Sequence, residues 1–260
     1  MDQVKIFGER NTATNLLVKL IRANCTARVL PATVGDLGDP PGAHERGLRL
    51  LTRIPVFGQR LREARIDRIF AAETDLNAWK HAATRFDRPE AFRGALVAIC
   101  VRDPASWLTA LHRKPYQSRA TVPADLDAFI DMPWTTRSRE RLDGATFTPM
   151  ELYNAKLRSY LTFMDGLAGA GIPCVAVPFE RLVTDQLGAL ALLADHLDGM
   201  STAPTRIEGS TKIDPDKDWR WYRDYYAERR WADAIPAATM ARIAERVDWD
   251  VASQFGYAAP

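Results

Sequence analysis

The segment Gly94-Ala95-Leu96-Val97-Ala98-Ile99-Cys100-Val101 is apolar throughout, and a run this short and this uniform has few structural homes. A strand with one wet face alternates polar and apolar residues, and an amphipathic helix interrupts its apolar stripe every few positions. Neither interruption occurs here, so the segment predicts a strand buried on both faces of a parallel sheet, and its central one. Asp103-Pro104 follows at once. Aspartate suits an N-cap and proline suits the first helical position, so a helix is expected over Ala105 to Arg113, leaving the carboxyl end of the strand.

The rest of the chain repeats this grammar. Val4 to Gly8 reads as a short strand, and Thr14 to Ala23 places Leu16, Leu17, Leu20 and Ile21 on one helical face. A second short apolar run covers Ala27 to Leu30. Thr148-Pro149-Met150-Glu151 is a capping box that opens a helix whose apolar residues, from Met150 and Tyr153 to Leu167, hold helical spacing until Gly169 and Gly171 end it. Pro173 to Pro178 is another short strand, followed by helix-like sequence from Glu180 to Leu197. Alternating strands and helices imply parallel crossovers, hence an α/β fold with a three-layer parallel sheet flanked by helices. The C-terminal third reads as largely helical, with Trp, Tyr and Arg interleaved from Trp219 to Trp231.

At 260 residues, 47% of them hydrophobic, the chain can enclose a full core without disulfides or metals, and residues 1–260 are expected to form a single domain. The composition shifts at about 31–68: Pro31 to Pro41 is rich in Gly, Pro and Asp, and Glu45 to Arg68 holds seven arginines against three acids. This stretch reads as a basic insertion with one or two helices. A formal net charge of +2 is too balanced for wholesale attraction to nucleic acid, so any anion site must be local. Cys25, Cys100 and Cys174 are odd in number and widely spaced, which fits a reducing, cytoplasmic setting. His44, His81, His112 and His196 show no metal-ligand spacing with them, and no metal is expected. No window approaches the ~20 apolar residues of a membrane span, and no leader segment is recognisable.

Between the first strand and the first helix lies the polar turn Gly8 to Asn15. A helix N-terminus exposes unpaired N–H groups and the positive end of its dipole, so this turn is a candidate anion cradle, with Asn11, Thr12, Thr14 and Asn15 adding side-chain donors. It lacks the Gly-x-x-x-x-Gly-Lys-Ser/Thr pattern of a nucleoside triphosphatase. Taken alone the turn is equally well an ordinary helix start.

Two segments together carry a resemblance. Lys5-Ile6-Phe7-Gly8-Glu9-Arg10-Asn11-Thr12-Ala13-Thr14-Asn15-Leu16-Leu17 resembles the 5′-phosphosulfate loop of sulfotransferases, and Val101-Arg102-Asp103-Pro104-Ala105-Ser106-Trp107-Leu108 resembles their 3′-phosphate segment. Trp79-Lys80-His81 between them is similar to the family's Lys/His catalytic turn. The tail Asp224-Tyr225-Tyr226-Ala227-Glu228-Arg229-Arg230-Trp231, with Phe255-Gly256-Tyr257, is similar to bacterial members, so the anchors span nearly the whole chain. The resemblance implies a P-loop-like sheet that binds 3′-phosphoadenosine 5′-phosphosulfate (PAPS) and transfers its sulfuryl group to a hydroxyl or amine of a small-molecule or glycan acceptor. It implies Arg10, Asn11, Thr12, Ala13, Thr14 and Asn15 on the 5′ side of the donor, and Arg102 with Ser106 on the 3′-phosphate. His81 would be the general base, and Lys80 the cation that neutralises the bridging or sulfate oxygen. Three positions depart from the family pattern: Asn11 stands where Lys or Arg is often found, Ala13 stands for a glycine, and Ala110 for the serine eight residues after the 3′-segment arginine.

The aromatic and cationic content of Ser210 to Arg223 suits stacking of an adenine and pairing of a phosphate, with Lys212 and Arg220 as the expected ligands. His112 with Arg113-Lys114-Pro115-Tyr116 is expected as a pocket wall or a surface basic cluster. The alternatives are a catalytically silent sulfotransferase-like nucleotide-binding protein and, further off, a P-loop nucleotide kinase.

Overall fold

The computed structural model describes residues 1–37, 57–116, 118–209 and 217–259. Four parallel strands form its sheet: β1 (Gln3–Gly8), β2 (Arg28–Val29), β3 (Ala95–Val101) and β6 (Cys174–Pro178), in the order β2-β1-β3-β6. Every residue of β3 is buried, as its unbroken apolar run requires, and its neighbours are β1 and β6. The register pairs Phe7 with Ile99 and Gly8 with Cys100, so β1 and β3 end level with each other.

The crossovers are helical. α1 (Thr14–Asn24) follows β1 and buries Leu16, Leu17, Leu20 and Ile21. α2 (Phe57–Ala72) precedes β3, and Asp103 caps α3 (Pro104–Arg113) by accepting from the Ser106 amide at 2.8 Å. After the short α4 (Leu126–Ile130) comes a two-stranded antiparallel ribbon, β4 (Trp134–Thr135) with β5 (Thr146–Phe147), which the sequence patterns do not announce because two-residue strands carry no period. α5 (Pro149–Gly169) opens on the expected capping box, with the Thr148 amide donating to Glu151 Oε2 at 2.7 Å.

The helix expected from Glu180 to Leu197 is two helices, α6 (Phe179–Thr184) and α7 (Gln186–Ala194). Asp185 takes φ −142°, leaves the helical region and caps α7 by accepting from the Gly188 amide at 2.9 Å, a local bond that competes with helix continuation. The C-terminal third adds α8 (Trp219–Ala227), α9 (Ala237–Arg246) and α10 (Trp249–Ser253). Of the basic stretch at 31–68, α2 supplies the described helix, tied to the body by ion pairs of Arg139 with Glu63 and Asp67. Among the described residues no helix is long and apolar enough to cross a membrane.

From β1 the chain passes to β2 on one side, then returns to β3 on the other. The order therefore reverses between β1 and β3. In open parallel sheets the crevice beyond such a reversal, at the carboxyl ends of the strands, is where ligands bind.

Candidate functional site

The loop that leaves β1 at this crevice is shaped by three unusual backbone positions. Gly8 has φ +153°, and a Cβ there would lie 2.7 Å from the Cys100 carbonyl and 2.7 Å from Thr12 Oγ1, so only glycine lets the loop turn against β3. Asn11 and Ala13 both adopt φ +63°, the left-handed region that asparagine tolerates and alanine resists. Ala13 occupies the N-cap of α1 and offers no side-chain acceptor, so the leading amides of α1 meet the crevice without a cap. Asn11 adds a buried Nδ2 that has no hydrogen-bond partner among the described residues. The Thr12 hydroxyl is spent within the loop, donating to the Glu9 carbonyl at 2.6 Å.

The Trp79-Lys80-His81 turn docks directly on this loop. The Gly8 amide donates to the Lys80 carbonyl at 2.9 Å, and Lys80 Nζ donates to Asn15 Oδ1 at 2.5 Å on the first turn of α1. Burial lowers the Lys80 ammonium from its ordinary value, with Asp36 opposing. His81 Nδ1 lies 2.6 Å from the Gly8 carbonyl. A carbonyl can only accept, so Nδ1 carries the proton and Nε2 holds the lone pair. Burial, then the positive charges of Lys80 and Arg10, hold His81 well below its ordinary value, which leaves the ring neutral at pH 7.

Arg10 and Arg102, the two arginines expected on the donor's phosphates, direct their guanidinium groups into the protein. Arg10 is 1% exposed and pairs with Glu9 at 2.6 Å and Glu140 at 2.9 Å. Arg102 is fully buried and acts as a staple. Its Nε donates to Ser106 Oγ at 2.9 Å, Nη1 to the Asn11 carbonyl at 2.7 Å and Nη2 to the Tyr226 hydroxyl at 3.0 Å, with Phe179 stacked 3.8 Å below. Ser106, buried behind Arg102, is part of the same staple. Arg102 thus fixes the left-handed turn at Asn11 and brings α8 to the loop.

These elements enclose a cavity of about 430 Å³. One end is lined by Arg10, Asn11, Ala13, Thr14, Asn15, Lys80 and His81, the other by Phe179, Gln186, Ile207, Trp219, Tyr222 and Tyr226, with Lys114 and Tyr116 also on its wall. No carboxylate appears among the described lining residues, so the wall is cationic and amide-rich at one end and aromatic at the other. Of the expected site residues, the structure brings Arg10 through Asn15, apart from Thr12, together with Lys80 and His81. Arg102 and Ser106 stand behind the wall, Arg220 is exposed and outside it, and Lys212 lies outside the described residues. Lys114 and Tyr116 take the wall position expected of their cluster, whereas His112 Nε2 bonds the Pro123 carbonyl at 2.8 Å. Phe179, Gln186 and Tyr226 were not foreseen. Tyr226 sits inside the quoted tail motif, and that was its one signal. Among the described residues no group of three or more His, Cys, Asp or Glu side chains clusters as metal ligands would.

No known family model matches the chain, and no curated protein matches it. The class therefore rests on the fold and the cavity: an α/β protein with a parallel sheet and, at its strand-order reversal, a pocket lined by cationic and amide groups at one end and by aromatic rings at the other.

Proposed function

We propose that this protein is a nucleotide-dependent group transferase, and specifically a sulfotransferase that moves the sulfuryl group of PAPS to a hydroxyl or amine. The observation that carries it is the polarity of the cavity: the uncapped start of α1, Lys80 and His81 at one end, aromatic rings at the other, and no carboxylate among the described lining residues. The unpartnered Asn11 Nδ2 and the bare amides after Ala13 fit the phosphosulfate end of such a donor. Trp219, Tyr222 and Tyr226 fit its adenine.

The donor supplies the sulfuryl group; this chain's residues orient and neutralise. The α1 amides and Asn11 hold the anion, and Lys80, anchored on Asn15, places its positive charge beside the same amides, where negative charge grows during transfer. His81 keeps its proton on Nδ1 through the Gly8 carbonyl, so Nε2 is the atom that takes the acceptor's proton. One observation favours the silent binding protein instead: Arg102 is committed to Ser106, Asn11 and Tyr226.

Thermal shift with adenosine 3′,5′-bisphosphate, without metal, tests the class; stabilisation is expected, and a response only to ATP with magnesium overturns it. Donor consumption then tests the activity. Lys80→Ala and His81→Ala are each expected to abolish it while leaving bisphosphate binding measurable, and wild-type binding with no turnover assigns the silent protein.

A further inference from the structure

Beneath the candidate site four charged side chains lie together, almost without solvent contact: Glu9, Arg10, Glu140 and Lys156, at 1%, 1%, 0% and 0% exposure. Glu9 Oε1 accepts from the Arg10 backbone amide at 2.7 Å and from Nη1 at 2.6 Å. Arg10 Nη1 and Nη2 reach the two oxygens of Glu140 at 3.0 and 2.9 Å. Lys156 Nζ, from α5, lies 3.2 Å from Glu9 and 3.4 Å from Glu140, and also donates to the His81 carbonyl.

Two carboxylates and two cations cancel. A buried charge without its partner is strongly destabilising, so each member holds the other three in place. The quartet joins four separate segments: the loop after β1, the turn at His81, the Arg137–Glu140 turn and α5. The Ala83 amide, two residues past His81, donates to the Glu140 carbonyl at 2.8 Å, so the His81 turn is gripped on both sides.

We propose that Lys156 is a positioning residue for His81: its ammonium, oriented by Glu9 and Glu140, fixes the His81 peptide and adds a positive charge near the imidazole, whose Nδ1–H the Gly8 carbonyl holds. The ring is fixed from the other side by the Gly8 carbonyl and edged by Trp79 at 4.9 Å between centroids. Burial is the largest cause that disfavours a protonated ring; the charged groups that add to it are, in falling order, Lys80 from its own turn, Arg10 from the loop after β1 and Lys156 from α5, and the Gly8 carbonyl opposes them. Glu9 and Glu140 pair with two of these cations, Arg10 and Lys156. Calling His81 a base rests on the proposed sulfuryl transfer; its titration does not.

The experiment is an NMR pH titration of the His81 ring in the full-length protein, assigned by its loss in His81→Gln. Lys156→Met is expected to raise the titration midpoint, by roughly a few tenths of a pH unit, because the weakest of three nearby positive charges is gone. Lys156→Arg keeps the charge and is expected to leave the midpoint near wild type. Glu140→Gln removes a compensating negative charge and is expected to lower it. A merely structural role cannot give opposite signs, so shifts of Lys156→Met and Glu140→Gln in one direction, or no shift in Glu140→Gln, overturn the assignment. If Lys156→Met fails to fold, the fall in Glu140→Gln with no change in Lys156→Arg carries the test. Opposite shifts in a protein that never consumes donor uphold the positioning role and overturn the transferase, whereas turnover with an unmoved midpoint does the reverse.

Discussion

Replacing Ala13 by glycine should stabilise the protein, against the usual sense of that substitution. Ala13 sits at φ +63°, ψ 23°, at the N-cap of α1. A left-handed conformation costs an L-residue with a Cβ about 1–2 kcal/mol, and glycine nothing comparable. Against this, glycine gives the unfolded chain back about 0.4–1 kcal/mol of conformational freedom. The difference favours Ala13→Gly by roughly 0.5–1 kcal/mol, which for a 260-residue chain is a rise of about 1–3 °C in Tm. The control is Ala23→Gly, exposed near the end of α1 in ordinary helical conformation, where the same chemical change should cost about 0.5–1 kcal/mol and lower Tm. Calorimetric melts of the three proteins, with and without adenosine 3′,5′-bisphosphate, provide the comparison. Equal falls for Ala13→Gly and Ala23→Gly would show that Ala13 is not left-handed, and with it would go the shape assigned to the anion loop.

Three further outcomes follow from the same geometry. Gly8→Ala puts a Cβ 2.7 Å from the Cys100 carbonyl at a φ of +153°, and thermal melts should show a loss of about 3 kcal/mol or more. His81 is held well below its ordinary value, so the unfolded chain binds a proton that the folded one refuses. Stability should therefore be unaffected by this group above about pH 6.5 and fall below it, by up to about 1.4 kcal/mol per pH unit, and His81→Gln should remove that share of the slope between pH 6.5 and 5. Tyr226→Ala removes both a ring of the cavity wall and the partner of Arg102 Nη2, and calorimetry should show bisphosphate binding weakened about 10- to 100-fold; Tyr226→Phe, which keeps the ring, should lose much less.

Local signals made much of the framework legible. The apolar run at β3, the capping box at Thr148 and the Asp103-Pro104 start of α3 each depend on interactions within a few residues, and each appears where its pattern lies. The break at Asp185 was missed because an aspartate inside an apolar helical stretch is equally a solvated residue or a new cap, and the backbone had to choose. The β4–β5 ribbon was missed because a single pair of residues has no periodicity.

The roles of the arginines were not legible at all. The sequence by itself determined that Arg10 follows a strand end and that Arg102 follows the buried strand, and so that both stand at the mouth of a parallel sheet. Tertiary structure alone decided which way they face. Arg10 meets Glu140, 130 positions away, and Arg102 meets Tyr226, 124 positions away. A guanidinium carries five donors and goes to whichever acceptors the fold brings within about 3 Å, an outcome of long-range packing that neighbouring residues do not encode. The same packing brought Lys80 and His81 to a single cavity with the bare amides of α1, although Lys80 and Asn15 stand 65 positions apart along the chain.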